Sequence, residues 1–258
     1  MELSKRLKTI VSLIDQSVIA DIGCDHALVC IEAIETKKAA KAYACDLREG
    51  PIAQAKANVA AKNLSSKIDV RKQNGIENLP DDTKQILIAG MGGKLVMEIL
   101  DSHPLPKNAK SLLLSSHKDT ESLRRYLIER GWQIESERVT EDGHFYPILK
   151  VRIPDEQKPE QQDKKAMDSA IQKQLADEES LLFGFSYTAD EDYLRYLRWQ
   201  ISQWQKFLPA LPQDRKAELD HKLILAARRL KEAESQIQLQ AGNDRSDRLS
   251  IAFENQKK

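Results

Sequence analysis

The sequence predicts an α/β domain built on a parallel sheet and followed by an α-helical hairpin. Three features carry that expectation. Short apolar runs alternate with helical stretches up to about residue 153, the early runs end in an acid or a glycine, and a polar, proline-bearing segment then gives way to a leucine seam at helical spacing. The two parts are residues 1–153 and 154–258.

An opening helix is expected over residues 2–14. Ser17 to Gly23 reads as a short strand ending in Asp21 and Gly23, and Ala27, Ile31 and Ile34 then mark one face of a helix. Ala40 to Asp46 repeats the strand and Ile52, Ala55, Val59 and Ala60 repeat the helix. Two such units imply parallel pairing, because a helical crossover returns the chain to the same end of the sheet. Ile68–Val70 leading to Asn74-Gly75, Gln85–Gly90 and Ser111–Ser115 continue the alternation. Trp132–Val139 and His144–Ile153 have almost nothing between them, so an antiparallel hairpin should close the sheet.

In the second part Leu194, Leu197, Ile201, Trp204, Leu208 and Leu211 are followed, after the Pro209–Pro212 turn, by Leu219, Leu223, Ala226, Leu230, Ala233, Ile237 and Gln240. Alternating steps of three and four define the seam of an antiparallel coiled-coil hairpin. Phe183-Gly184-Phe185 marks a break before it.

Composition limits the function. The 258 residues carry 40 basic and 40 acidic side chains, so a strongly basic nucleic-acid coat is excluded. No apolar run approaches the roughly 20 residues of a membrane span, and charges interrupt the start where a secretory leader would be continuous. A cytoplasmic protein without membrane attachment is expected. Cys24, Cys30 and Cys45 lack C-x-x-C spacing and sit in apolar surroundings, which reads as buried reduced thiols with no metal.

Ligands of open parallel sheets bind beyond the carboxyl ends of the strands, at the point where strand order reverses. The special residues of this chain fall there: Asp21, Gly23, Cys24, Asp25 and His26 after the first strand, Asp46 and Leu47 after the second, Asn74 and Gly75 after the third, and Ala89, Gly90 and Met91 after the fourth. One such turn is ordinary punctuation, and four at consecutive strand ends point to a nucleoside cofactor. A dinucleotide pyrophosphate needs G-x-G-x-x-G, whereas Gly23 is followed by Cys24, Asp25 and His26. An acidic, bulky turn repels phosphate and suits S-adenosyl-L-methionine, with its sulfonium, its ammonium and ribose hydroxyls for Asp46. Asn74 is then available to the adenine edge.

The segments RLKTI, ADIGCDHA, EGPIAQAKANV, NGIENL, IAGMGGKL and LRRYLIERGW resemble the bacterial tRNA (adenine(22)-N1)-methyltransferase family, TrmK. The resemblance spans the first part and reaches into the helical hairpin. It implies a class I (Rossmann-like) methyltransferase domain with a coiled-coil C-terminal domain, and methylation of ring N1 of an adenine in the D-loop region of tRNA. It places Arg6 near the cofactor's carboxylate and Asn58, in its A-x-x-N-V segment, near the pocket. This chain departs from the family at Cys24, where serine is frequent, and at Ser115-Ser116-His117, where a Q-P-N segment is found.

Asp25, His26 and Asn58 are the candidate catalytic residues. Asp25 reads equally well as the cap of a helix beginning at His26, His26 as a packing imidazole, Asn58 as a surface residue and Met91 as pocket floor. Lys5-Arg6-Lys8, Lys37-Lys38-Lys41, Arg124-Arg125 and the hairpin's Lys222, Arg228, Arg229 and Lys231 are candidate phosphate contacts for tRNA, or ordinary solvated faces. A monomer is favoured. The competing readings are a methyltransferase acting on a small molecule or protein, and a non-catalytic RNA-binding assembly protein.

Overall fold

The computed structural model describes residues 3–154 and 161–255, with side chains described for 3–154 and 168–241. Glu2 of the expected opening helix and linker residues 155–160 lie outside the described residues. The chain divides into two compact units, Met1–Ser186 and Tyr187–Lys258.

The first unit holds strands β1 (Val18–Ile22), β2 (Lys41–Asp46), β3 (Ile68–Lys72), β4 (Gln85–Met91), β5 (Ser111–Ser116), β6 (Gln133–Asp142) and β7 (His144–Arg152). They form one sheet in the order β3-β2-β1-β4-β5-β7-β6. The first five strands pair in parallel, and β7 runs antiparallel between β5 and β6. The expected hairpin is therefore present, with its first strand outermost. The chain builds outward from β1 to β3 and then crosses back to β4, so the reversal of strand order lies between β1 and β4.

Side chains alternate across the strands and both faces are buried. On one face Ile19, Ala42, Ala44, Leu87 and Leu113 pack with Ile10, Val11 and Ile14 and with residues of α2 (Leu28–Glu35) and α3 (Glu49–Ala61). On the other, Ala20, Ile22, Ile86, Ile88, Leu112 and Leu114 meet residues of α4 (Gly93–Ser102) and α5 (Thr120–Glu129). Helix α1 (Lys5–Ser12) opens the unit and is capped by the Ser4 hydroxyl, which accepts from the Leu7 N–H. The three cysteines are buried, and burial pushes each thiol up.

The compact first unit continues past the expected boundary at 153/154, through α6 (Gln161–Leu175) and α7 (Glu178–Phe183), to Ser186. A buried ion pair explains why. The Arg124 Nε donates to Glu137 Oε2 at 2.8 Å, and its Nη1 donates to the carbonyls of Leu181 and Leu182 at 2.8 and 3.0 Å. Glu137 Oε1 accepts from the Phe185 N–H at 2.7 Å, and the Glu137 N–H donates to the Ser186 carbonyl at 2.8 Å. Helix α7 and the chain after it are thus tied to α5 and β6. Arg124, read from sequence as part of a basic surface cluster, is instead 1% exposed. No described helix is long and apolar enough to cross a membrane.

The second unit is an antiparallel helical hairpin of α8 (Glu191–Phe207), a 3₁₀ turn at Leu208–Ala210, and α9 (Gln213–Asn255). Leu194, Leu197, Ala226 and Ala233 of the expected seam are buried, whereas Gln240 at its end is exposed. Arg198 pairs with Glu234 at 2.7 Å across the two helices. Arg229, a candidate phosphate contact, is buried with its guanidinium 4.7 Å from the Tyr187 ring centroid, so it serves packing.

Replacing one partner of a buried ion pair leaves an uncompensated charge, at a cost of about 3–5 kcal/mol. Arg124→Met should therefore lower stability by about that much in urea unfolding. A loss below about 1 kcal/mol, the range of a surface pair, would show that the pair does not hold α7.

Candidate active site

The site is assembled from the turns that follow β1, β2, β3 and β4. Gly23 takes the left-handed conformation (φ +74°), and its N–H and that of Cys24 donate to the Cys45 carbonyl at 2.8 and 3.0 Å. The first turn is thereby folded over the end of β2. The left-handed φ is what favours glycine here; a Cβ would also lie 2.4 Å from the Met91 Cε and oblige that flexible tip to move.

Beyond Gly23, Asp25 (φ +49°) and Ala27 (φ +58°) are also left-handed, a conformation that costs energy outside glycine. This changes the reading of Asp25. Helix α2 begins at Leu28 with Ala27 at its cap position and no side-chain cap hydrogen bond, so Asp25 is not its cap. The Asp25 carboxylate is exposed instead, 3.4 Å from His26 Nε2 and 3.9 Å from Arg48. Asn58 on α3 holds the turn: its Nδ2 donates to the His26 carbonyl at 3.0 Å, and its Oδ1 accepts from Gln54 at 2.9 Å.

Two carboxylates at the strand ends are buried but behave differently. Burial raises the pKa of Asp46, but hydrogen bonds from the Arg48 backbone N–H (2.9 Å) and Nε (3.2 Å), with the Arg48 charge, outweigh it, so Asp46 stays ionised below the usual carboxylate range. Asp21 has no such clamp. Burial pushes it up to about 7, with the Arg6 charge pulling down and that of Asp46 pushing further up.

These turns enclose a cleft of about 510 Å³, within the range of small-molecule sites. Arg6, Gly23, Asp25, Asp46, Leu47, Asn74, Gly75, Ala89, Gly90 and Met91 line it. Asp21, Cys24 and His26 line a smaller adjoining cavity of about 100 Å³ that Arg6, Gly23 and Asp25 share. Asn58 lines neither. Arg48, Gln73, Leu95 and Ile99 also line the cleft and were not anticipated. Leu95 is 46% exposed and Leu47 59%. Two exposed leucines at a cleft mouth offer the flat apolar walls that a nucleobase needs. Gln73 fixes the β3 turn by donating to the Gly75 carbonyl at 2.9 Å.

Acids face this cleft where a dinucleotide site would present a glycine-rich run of N–H groups. With an open sheet whose order reverses between β1 and β4 and whose last inserted strand is antiparallel, the geometry defines a class I methyltransferase domain. Comparison with known proteins agrees: residues 3–149 match the family model of a methyltransferase domain. The tRNA (adenine(22)-N(1))-methyltransferase of Bacillus subtilis is 30% identical over 207 residues, which cover 79% of this chain and 87% of that protein. The crystal structure of the B. subtilis m1A22 tRNA methyltransferase TrmK superposes with a TM-score of 0.71 at 28% identity, covering 90% of this chain and 98% of that one. Streptococcus pneumoniae Sp1610 in complex with S-adenosyl-L-methionine gives 0.70 at 27% identity, covering 90% and 99%. On this likeness the chain belongs to the tRNA (adenine(22)-N(1))-methyltransferase family.

Because the folded protein holds the Asp21 proton up to about pH 7, against 3.8 for a free aspartate side chain, the folded state binds more protons between those values. Its contribution to stability is complete below about pH 4 and is lost as pH rises through 7. Asp21→Asn should therefore melt above the parent at pH 8, the gap narrowing towards pH 4. Parallel melting profiles for the two proteins would contradict a buried, proton-holding Asp21.

Proposed function

We propose that the chain is an S-adenosyl-L-methionine-dependent methyltransferase that modifies ring N1 of an adenine in tRNA, adenine 22 by its family. The observation that carries this reading is the acid-lined cleft over the β1–β4 reversal in a chain of that family. The cleft fits the cofactor on its own chemistry. Asp46, buried and ionised, suits a ribose diol; Arg6 suits a carboxylate; Asn74 suits a base edge, with Leu47 and Leu95 as its apolar walls. When bound, the cofactor supplies an electrophilic methyl: the N1 lone pair forms the new N–C bond, the C–S electron pair stays on sulfur, and the positive charge passes to the base until its amine releases a proton.

N1 is a weak nucleophile, so holding it in line with the methyl provides most of the rate. Asp25 and His26 act at the exposed mouth of the cleft, where a carboxylate stabilises charge growing on the base and the imidazole or carboxylate takes the amine proton. Asn58 acts through the His26 carbonyl and is a positioning residue. The acceptor atom lies on the pairing edge of its base, so the enzyme takes that nucleotide unpaired. The helical second unit serves as an arm for tRNA phosphates through Lys222, Arg228 and Lys231. A tRNA substrate fits a cytoplasmic location, and we propose that the chain acts there as a monomer.

Labelled methyl transfer to unmodified tRNA, followed by nucleoside analysis, should yield 1-methyladenosine. In the same assay Asp25→Ala should lower turnover more than about tenfold, the lower range for removing a group that stabilises transition-state charge, with cofactor affinity retained. Transfer to another base or to no RNA would defeat the reading, and full turnover in Asp25→Ala would remove that carboxylate from the chemistry.

A further inference from the structure

A second cavity, of about 490 Å³, shares Arg6 and Gly90 with the cofactor cleft. It is lined by those two residues with His117, Lys118, His144 and Tyr146, so it carries aromatic and cationic groups and no carboxylate. That is the reverse of the acid-lined cleft beside it.

Its walls are held in place. His144 and Tyr146 are two apart on β7 and share a face, with ring centroids 6.5 Å apart at 72°. His117, in the loop after β5, meets the Tyr146 ring at 6.4 Å and 66°. Its loop is pinned at Lys118, whose carbonyl accepts from the Gly93 N–H at 2.9 Å and from the Ser116 hydroxyl. Arg6 places its guanidinium 4.8 Å from the Tyr146 centroid, while its backbone N–H donates to Asp142 Oδ2 at 3.2 Å. Gly90 (φ +79°) permits the close approach, since a Cβ there would lie 3.1 Å from Arg6 Nη1.

Unpaired bases are held by aromatic side chains, and the phosphates beside them by cations. We infer that this cavity seats the acceptor adenine against the Tyr146 ring, with His144 and His117 as edge walls, its N1 edge reaching past Arg6 and Gly90 into the cofactor cleft, while Lys118 meets a flanking phosphate. This rests on the tRNA methyltransferase reading above. Tyr146 and His144 are then specificity-determining residues of the acceptor, and neither is needed to hold the cofactor.

The test measures kcat/KM for tRNA beside the cofactor Kd, the latter by calorimetry without RNA. Tyr146→Ala should lower kcat/KM about tenfold or more, the range found when a stacking aromatic is removed, with cofactor Kd unchanged. Tyr146→Phe keeps the ring and should retain most activity, and His144→Ala and His117→Ala, both at exposed positions, should each lower kcat/KM with cofactor Kd unchanged. An active parent with Tyr146→Ala at parental kcat/KM overturns the acceptor pocket alone. Loss of activity matched by loss of cofactor affinity also overturns it, because Tyr146 would then act only through Arg6. A parent that binds cofactor but methylates no tRNA overturns the underlying reading and the pocket with it.

Discussion

Strand β1 is hydrogen-bonded in parallel to β2 on one side and β4 on the other, with Ile22 opposite both Cys45 and Ile88. That register brings the ends of β1 and β2 nearly level while β4 runs on to Met91, and the site follows from it. The Gly23 turn reaches the Cys45 carbonyl because β1 and β2 end nearly together, and Met91 comes near Gly23 because β4 runs past the end of β1. The period-two burial of Ile19, Ala20 and Ile22 between two helical layers fixes the register, since a slip of one residue would turn each side chain to the opposite face.

The same arrangement carries features that oppose stability. Asp21 is buried without an ion-pair clamp, and Asp25 and Ala27 are left-handed without being glycine. Such features concentrate where a ligand is handled and persist because the surrounding structure holds them. Asn58 and the Cys45 carbonyl hold the first turn, Arg48 holds Asp46, and two fully covered faces of the sheet supply the offsetting stability.

Much of this was legible in the residues. Apolar runs ending in acids or glycines give the strands and their carboxyl-end turns, and most of the expected cofactor residues line the cleft or its neighbour. What escaped depends on information a linear pattern lacks. Asp25 has the residue type of a helix cap, but a left-handed backbone moves the helix start beyond it. Arg124 reads as surface until the carbonyls of α7 are brought to it in space, which is also why the compact first unit runs to Ser186. Tyr146 and His144 read as ordinary strand residues, and only the placement of β7 beside β5 brings them to His117.

The central claim is that the acid-bearing turns over the β1–β4 reversal select a phosphate-free nucleoside cofactor. Calorimetric titration of the full chain with S-adenosyl-L-methionine, with NAD as comparator, tests it most directly. The account predicts one saturable site for S-adenosyl-L-methionine, no binding of NAD, and loss of the site in Asp46→Ala. Binding of NAD at comparable affinity, or parental affinity in Asp46→Ala, would contradict it.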